Sequence, residues 1–159
     1  MDELLRILQA NALESPADVA RMLGITEAEV KGRIADYEKK GVIRGYQAIL
    51  NDEEVDPGKV TAVIEVKVTP QREGGFDNIA NRLSRFPEVR SAYLMSGGYD
   101  ILLFVEGRSL REVAAFVSER LSSLEGVIST STHFMLKTYK RFGVLMHKDQ
   151  TDERLSVTP

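Results

Sequence analysis

Four consecutive residues, Gly97-Gly98-Tyr99-Asp100, interrupt two apolar runs, Leu94-Met95 before them and Ile101-Leu102-Leu103-Phe104-Val105 after them. Glycine accepts positive φ without penalty, so the chain can reverse here with its amides left uncovered. Uncovered amides at such a turn bind a carboxylate, and the Asp100 carboxylate beside them can pair an ammonium. Together they suit a zwitterionic amino acid. The same four residues also make a plain hairpin turn in which Asp100 only caps, and the residues alone leave both readings open.

A second set lies on one segment: Glu27, Ala28, Lys31, Arg33, Lys39 and Lys40, with Arg44 just beyond. On the recognition helix of a helix-turn-helix, early exposed positions meet base edges in the DNA major groove and basic positions meet phosphates. A helical bundle whose lysines and arginines merely solvate one face would carry the same letters. Residues 1–50 hold seven Lys/Arg (Arg6, Arg21, Lys31, Arg33, Lys39, Lys40, Arg44) against eight Asp/Glu (Asp2, Glu3, Glu14, Asp18, Glu27, Glu29, Asp36, Glu38), so this head nets 7 − 8 = −1. Phosphate contacts dominate nucleic-acid affinity, so a single such head binds weakly unless several act together.

Catalytic groupings are sparse. The chain has no cysteine, which removes thiol nucleophiles, disulfides and thiolate metal sites and fits a reducing, cytoplasmic setting. Its two histidines, His133 in a β-prone stretch and His147 near the tail, have no metal-ligand spacing. There is no phosphate-binding loop, dinucleotide fingerprint or nucleophile elbow, so no enzyme activity and no cofactor is expected. No apolar run approaches the roughly 20 residues that span a bilayer, and Met1-Asp2-Glu3 is unlike a signal peptide. A net charge of −3 argues for neither a basic coat nor an acidic tail.

The elements that must position these residues follow from periodicity and caps. Leu4 and Leu8 mark a short helix over about residues 3–11. Ser15 at an N-cap, Pro16 at the first helical position and Asp18 in the positive first turn start a second helix, which Gly24 stops. Thr26 with Glu29 reads as a capping box for a third helix striped by Val30, Ile34 and Tyr37 and ended by Gly41. Two helices joined by so short a turn form a helix-turn-helix. Residues 42–50, two β-prone runs around Arg44-Gly45, are expected to fold as a hairpin wing. The polar, turn-rich residues 51–60 form a linker.

Past the linker the period changes to two. Ala62, Ile64, Val66 and Val68 alternate with Thr61, Val63, Glu65 and Lys67, a strand with one buried face. Phe76, Ile79, Ala80 and Leu83 stripe a helix, a strand runs from Val89 to Met95, and a central strand follows the glycine turn. Ser109 with Glu112 caps another helix, and a last strand is expected over 127–139. Leu83, Ser84, Val89 and Ser91 recur as Leu121, Ser122, Val127 and Ser129, a β-α-β unit written twice. Two such units interleave into a four-stranded antiparallel sheet with both helices on one face. The other face, with Val63, is then bare and predicts a dimer through the sheets.

These residues together resemble the Lrp/AsnC, or feast/famine, family of transcriptional regulators. The resemblance runs through Asp18-Val19-Ala20-Arg21-Met22-Leu23-Gly24-Ile25-Thr26, then Val30, Arg33, Ile34 and Gly41-Val42-Ile43-Arg44-Gly45-Tyr46, and in the second half the Gly97-Gly98-Tyr99-Asp100 turn. It implies an α+β chain, with a winged helix-turn-helix over 1–50, a linker over 51–60, a ferredoxin-like βαββαβ (RAM) effector domain over 61–147 and a polar, disordered tail over 148–159. It implies double-stranded DNA as a partner, a dimer through the sheets or a larger ring up to an octamer, and an amino acid or related small metabolite bound at Gly97, Gly98, Tyr99 and Asp100 and against the last strand, at Thr130, Ser131 and Thr132. The chain departs from many relatives at Gly32, Asp36 and Tyr37. Two rivals fit the same architecture. One is a ligand-sensing partner that has lost DNA binding, which the acidic head favours. The other is an enzyme resembling siroheme decarboxylases, for which His133 is the one deep candidate and no histidine-arginine cluster is present.

Overall fold

The computed structural model describes residues 1–70 and 75–146, so His147 and the tail expected over 148–159 lie outside the described residues. The chain divides into two compact units, Met1–Ala48 and Ile49–Pro159.

The first unit is three helices, α1 (Glu3–Ala10), α2 (Pro16–Leu23) and α3 (Glu27–Lys39). Each start is capped locally: Asp2 Oδ1 accepts from the Leu4 amide at 2.8 Å, Ser15 Oγ from Asp18 at 3.1 Å and Thr26 Oγ1 from Glu29 at 3.2 Å. Each such cap satisfies an amide that has no partner within the helix. Gly24 ends α2 at φ 66°, which a side chain would resist, and the next amide, of Ile25, returns to the Ala20 carbonyl at 3.1 Å. Leu4, Val19, Ala20 and Val30 are buried together under Ile7, Leu8, Leu23, Ile25, Ile34 and Tyr37. The Tyr37 hydroxyl donates to Asp2 Oδ2 at 2.6 Å, tying the end of α3 to the cap of α1. That bond lowers the Asp2 pKa and raises that of Tyr37.

The wing expected over 42–50 does not form. The Val42 and Ile43 amides both donate to the Tyr37 carbonyl, at 2.9 and 3.2 Å, so two of the first strand's donors are drawn away from the rungs of such a hairpin. Gly45 does not take the positive φ that a tight two-residue hairpin turn demands. The segment takes no regular secondary structure, and its Tyr46 hydroxyl donates to Glu38 Oε1 at 2.9 Å. In the capping box of α3, Glu29 meets Arg33 rather than reaching back to the Thr26 amide.

In the second unit a short helix, α4 (Asp52–Val55), occupies part of the expected linker, capped by Asn51. A four-stranded antiparallel sheet follows, ordered β2-β3-β1-β4 from β1 (Val60–Val68), β2 (Val89–Leu94), β3 (Ile101–Gly107) and β4 (Val127–Phe134). Helices α5 (Asp77–Leu83) and α6 (Leu110–Ala115), the latter continued by a π-helical turn at Phe116–Leu121, cover one face. Ile79, Leu83, Val113, Phe116 and Leu121 interlock there with Ala62, Ile64, Val66, Ile101, Leu103 and Val105, all buried. Gly107 lets α6 close on β3, since a Cβ there would lie 2.9 Å from Val113 Cγ2. Glu65 and Leu102 lie on the opposite face, which no helix among the described residues covers.

The last strand stops at Phe134 rather than near 139. Its partner β1 begins at Val60, and the Met135 amide on the Thr61 carbonyl, 2.9 Å, is the last bond the pair makes. The chain then forms a second hairpin from β5 (Lys140–Arg141) and β6 (Val144–Leu145).

Candidate functional site

The 97–100 turn joins β2 to β3. The Met95 amide donates to the Asp100 carbonyl at 2.8 Å, and the Asp100 amide donates to the Val66 carbonyl at 3.1 Å. Gly97 stands at φ 139°, a conformation that the side chains of other residues disfavour. The amides of Ser96, Gly97, Gly98 and Tyr99 meet no acceptor among the described residues. Asp100 Oδ2 accepts from the Val68 amide at 2.9 Å, a bond between residues 32 positions apart that holds the end of β1 against the turn. Asp100 therefore caps, as the plain reading of the turn had it, yet its Oδ1 takes no hydrogen bond among the described residues. Four free amides and one free carboxylate oxygen offer an anion and a cation a place side by side. The flanking Leu94 and Met95 are exposed, 58% and 37%. Leu94 closes β2 and Met95 follows it, so both stand beside the turn at the end of the sheet.

The three β4 hydroxyl residues do not form one group. Thr130 pairs with Val66 and Thr132 with Ile64, so both share the helix-covered face and are half-buried. Ser131 pairs with Glu65 and lies on the bare face. Val66 also pairs with Ile101, which puts Thr130 level with the start of β3. With β1 between them, about 10 Å separates the two backbones. Of the three, only Thr130 is level with the turn on the covered side.

On the bare face, Ser131 Oγ lies 3.3 Å from His133 Nε2, and Glu65 Oε1 lies 3.6 Å from the same nitrogen. A serine–histidine–carboxylate relay needs both ring nitrogens, one for each partner. This arrangement uses one, so it does not activate the serine. Around it, Val63, Leu102, Phe104 and Tyr93 make an apolar patch, with the Tyr93 and Phe104 rings edge-to-face at 6.1 Å. Among the described residues no group of three or more His, Asp or Glu could hold a metal ion, and no helix is long and apolar enough to cross a membrane.

In the first unit, α3 presents the other candidate surface. Because Val30, Ile34 and Tyr37 face the core, the helical repeat turns Ala28, Gly32, Ala35 and Lys39 directly outward. This ridge is small except at its end, and it is bordered by ion pairs. Lys31 meets Glu27 at 2.5 Å on one side; Arg33 meets Glu29 and Lys40 meets Asp36, both at 2.6 Å, on the other. All six groups are about half exposed, and such pairs contribute only about 0.3–0.5 kcal/mol each. A phosphate can take either cation at little cost. Lys39 and Arg44 are free cations among the described residues. The sequence placed Glu27, Ala28, Lys31, Arg33, Lys39 and Arg44 at this surface; the structure distributes them, with Ala28 and Lys39 on the crest, Lys31 and Arg33 on the flanks paired to glutamates, and Arg44 past the helix end.

Matches to known proteins follow the same division. An AsnC-type helix-turn-helix domain matches residues 3–38, and an Lrp/AsnC ligand binding domain matches residues 61–145. The HTH-type transcriptional regulator YugG of Bacillus subtilis (strain 168) is 46% identical over 158 residues, covering 99% of this chain and 95% of that protein. The structure of the transcriptional regulator NMB0573 of Neisseria meningitidis in complex with L-Met has a TM-score of 0.70 and 26% identity, covering 89% of this chain and 93% of that one. A feast or famine regulatory protein of M. tuberculosis complexed with L-methionine has the same TM-score, 0.70, and identity, 26%, covering 87% and 90%.

Proposed function

This chain belongs to the Lrp/AsnC family of transcriptional regulators, and we propose that it binds specific double-stranded DNA with an affinity or assembly set by an amino acid held at the 97–100 turn. The observation that carries this reading is the run of amides from Ser96 to Tyr99 beside Oδ1 of Asp100, none of which has a partner among the described residues. An α-carboxylate accepts from the amides, the ammonium pairs Asp100, and an apolar side chain such as that of methionine rests on Leu94 and Met95. The L-Met complexes of two structural relatives support this class of ligand.

DNA is met by the outward ridge of α3. Its small residues let the helix seat deeply in the major groove, Lys39 and Arg44 reach phosphates, and Lys31 and Arg33 exchange their glutamates for phosphate. Two copies pair through the bare sheet face at Val63, Leu102, Phe104 and Tyr93, and further assembly up to an octamer multiplies weak heads. The effector acts only as far as it binds one assembly or head arrangement more tightly than another. The protein works in the cytoplasm, as a regulator and not as an enzyme, with a head over 1–50, a linker over 51–60 and an effector domain over 61–147.

The test is fluorescence anisotropy on a fragment from upstream of its own gene, titrated with salt, with and without L-methionine and then an amino-acid pool. Saturable binding with a steep salt slope that shifts with an amino acid supports the whole reading. A second reading, a sensing partner without DNA binding, is favoured by the self-paired cations of α3 and gains if a folded, oligomeric sample binds no fragment at low salt.

A further inference from the structure

Two free cations on α3 and its extension are few for a DNA-binding face, and the hairpin that the sequence placed at 42–50 is absent there. A hairpin of that kind stands elsewhere. From Gly126 to Lys148 the sequence contains no Asp or Glu, while it carries Lys137, Lys140, Arg141 and Lys148. The described part of this stretch ends in the β5–β6 hairpin, whose turn is Phe142-Gly143. Lys137 and Lys140 are exposed and have no ion pair among the described residues. Lys137 Nζ lies 5.4 Å from the Tyr139 ring centre.

The base of the hairpin is fixed. Arg141 pairs with Asp52 at 2.8 Å, the Asn51 side-chain amide donates to the Met146 carbonyl at 3.1 Å, and the Met146 amide donates to the Tyr139 carbonyl at 3.0 Å. Its tip is unusual. Phe142 takes φ 47° and is 80% exposed, in a two-residue turn whose first position favours Asn, Asp or Gly. A bulky ring at positive φ with nothing packed on it costs stability and gains no burial, which points to a role outside the folded unit.

We infer that the β5–β6 hairpin is a second, sequence-independent contact with double-stranded DNA, with Lys137 and Lys140 on phosphates and the Phe142 ring against the minor groove. The stretch itself carries no carboxylate, and Asp52, which meets it, is taken up by Arg141 and Lys59, so among the described residues both lysines stay open to a polyanion. Apolar wedges flanked by cations are a recurring way to hold the minor groove. The inference rests on the DNA-binding reading above and adds a contact that the helix-turn-helix does not supply.

The experiment compares the full chain with the Lys137→Gln/Lys140→Gln double variant and with Phe142→Gly, which suits the positive φ and so keeps the turn. Each is titrated by anisotropy from low to moderate salt on the upstream fragment and on an unrelated duplex, with mass measured by light scattering. Removing two phosphate contacts lowers the salt slope by about 1.8 per bound protomer and weakens both duplexes tens of fold at about 0.1 M salt. Phe142→Gly weakens both duplexes with the slope unchanged. An unaltered slope and affinity in the double variant, with wild-type binding intact, overturns the hairpin contact while leaving the regulator reading standing. A loss of mass in Phe142→Gly without loss of affinity per assembled head also overturns it, since the tip then serves contact between copies. If the wild-type chain binds neither duplex, both readings fall together.

Discussion

Replacing Asp100 separates its two tasks. Oδ2 accepts from the Val68 amide at 2.9 Å, and Val68 itself is only 3% exposed. Asp100→Ala leaves that amide without an acceptor at the end of β1, and a hydrogen bond to a charged group contributes about 1.5–3 kcal/mol. For a chain of this size each kcal/mol moves Tm by about 2–4 °C. The expected fall is therefore about 3–12 °C, centred near 7 °C. Asp100→Asn keeps an oxygen for the Val68 amide and loses only the charge, so its Tm should stay within about 3 °C of wild type by the same scale. L-methionine binding, measured by titration calorimetry, should be lost in both. Circular dichroism melts and calorimetry on the three proteins read the two tasks apart. An Asn variant as unstable as the Ala variant would refute the structural role assigned to Oδ2. Undiminished methionine binding by the Asn variant would remove the ammonium contact from Asp100.

Three further perturbations test other parts of the structure. Gly32 lies inside α3, exposed, with nothing within 4 Å of the place a Cβ would take, so Gly32→Ala should stabilise the head by about 0.8–1 kcal/mol in urea unfolding; weaker DNA binding alongside that gain would show that a groove wall approaches the ridge there, and a loss of stability would contradict the open position. Glu27→Gln with Glu29→Gln removes the carboxylates that Lys31 and Arg33 must leave to reach phosphate, so DNA affinity should rise on every duplex with little change in salt slope; an unchanged affinity would show that neither cation meets phosphate. Burial pushes the Asp52 carboxyl up, but the hydrogen bond and charge of Arg141, with Lys59, outweigh it and hold its pKa below the ordinary value. The stability this contributes is present above the unfolded carboxyl pKa of about 3.9 and is lost as pH falls through the lower folded value. Arg141→Met should therefore lower stability near neutral pH and flatten the acid limb of its pH dependence. Lys59, raised by Glu106 and Asp52 against burial, acts at the other end: its contribution holds below the unfolded lysine pKa of about 10.4 and is lost as pH rises through the raised value.

The features legible in the amino-acid sequence are those decided within a few residues of themselves. Ser15 and Thr26 cap helices whose amides lie three residues on, Gly24 stops α2 by its own φ, and the alternation from Thr61 to Val68 marks a strand whichever strands it joins. The glycine turn and its aspartate were visible for the same reason. The split of Thr130, Ser131 and Thr132 between two faces was also written in the period of two, and only treating them as one cluster hid it.

Tertiary structure decided whatever depends on a partner distant along the chain. A β-prone run becomes a hairpin only if its amides are free, and the Tyr37 carbonyl takes those of Val42 and Ile43. A strand lasts only as long as its neighbour, so β4 ends where β1 begins, and the residues beyond it turn into the β5–β6 hairpin. Asp100 meets Val68 across 32 positions and Tyr37 meets Asp2 across 35. Local spacing fixes a residue's own backbone geometry, but the bond a side chain makes depends on which distant groups the packed core brings within reach.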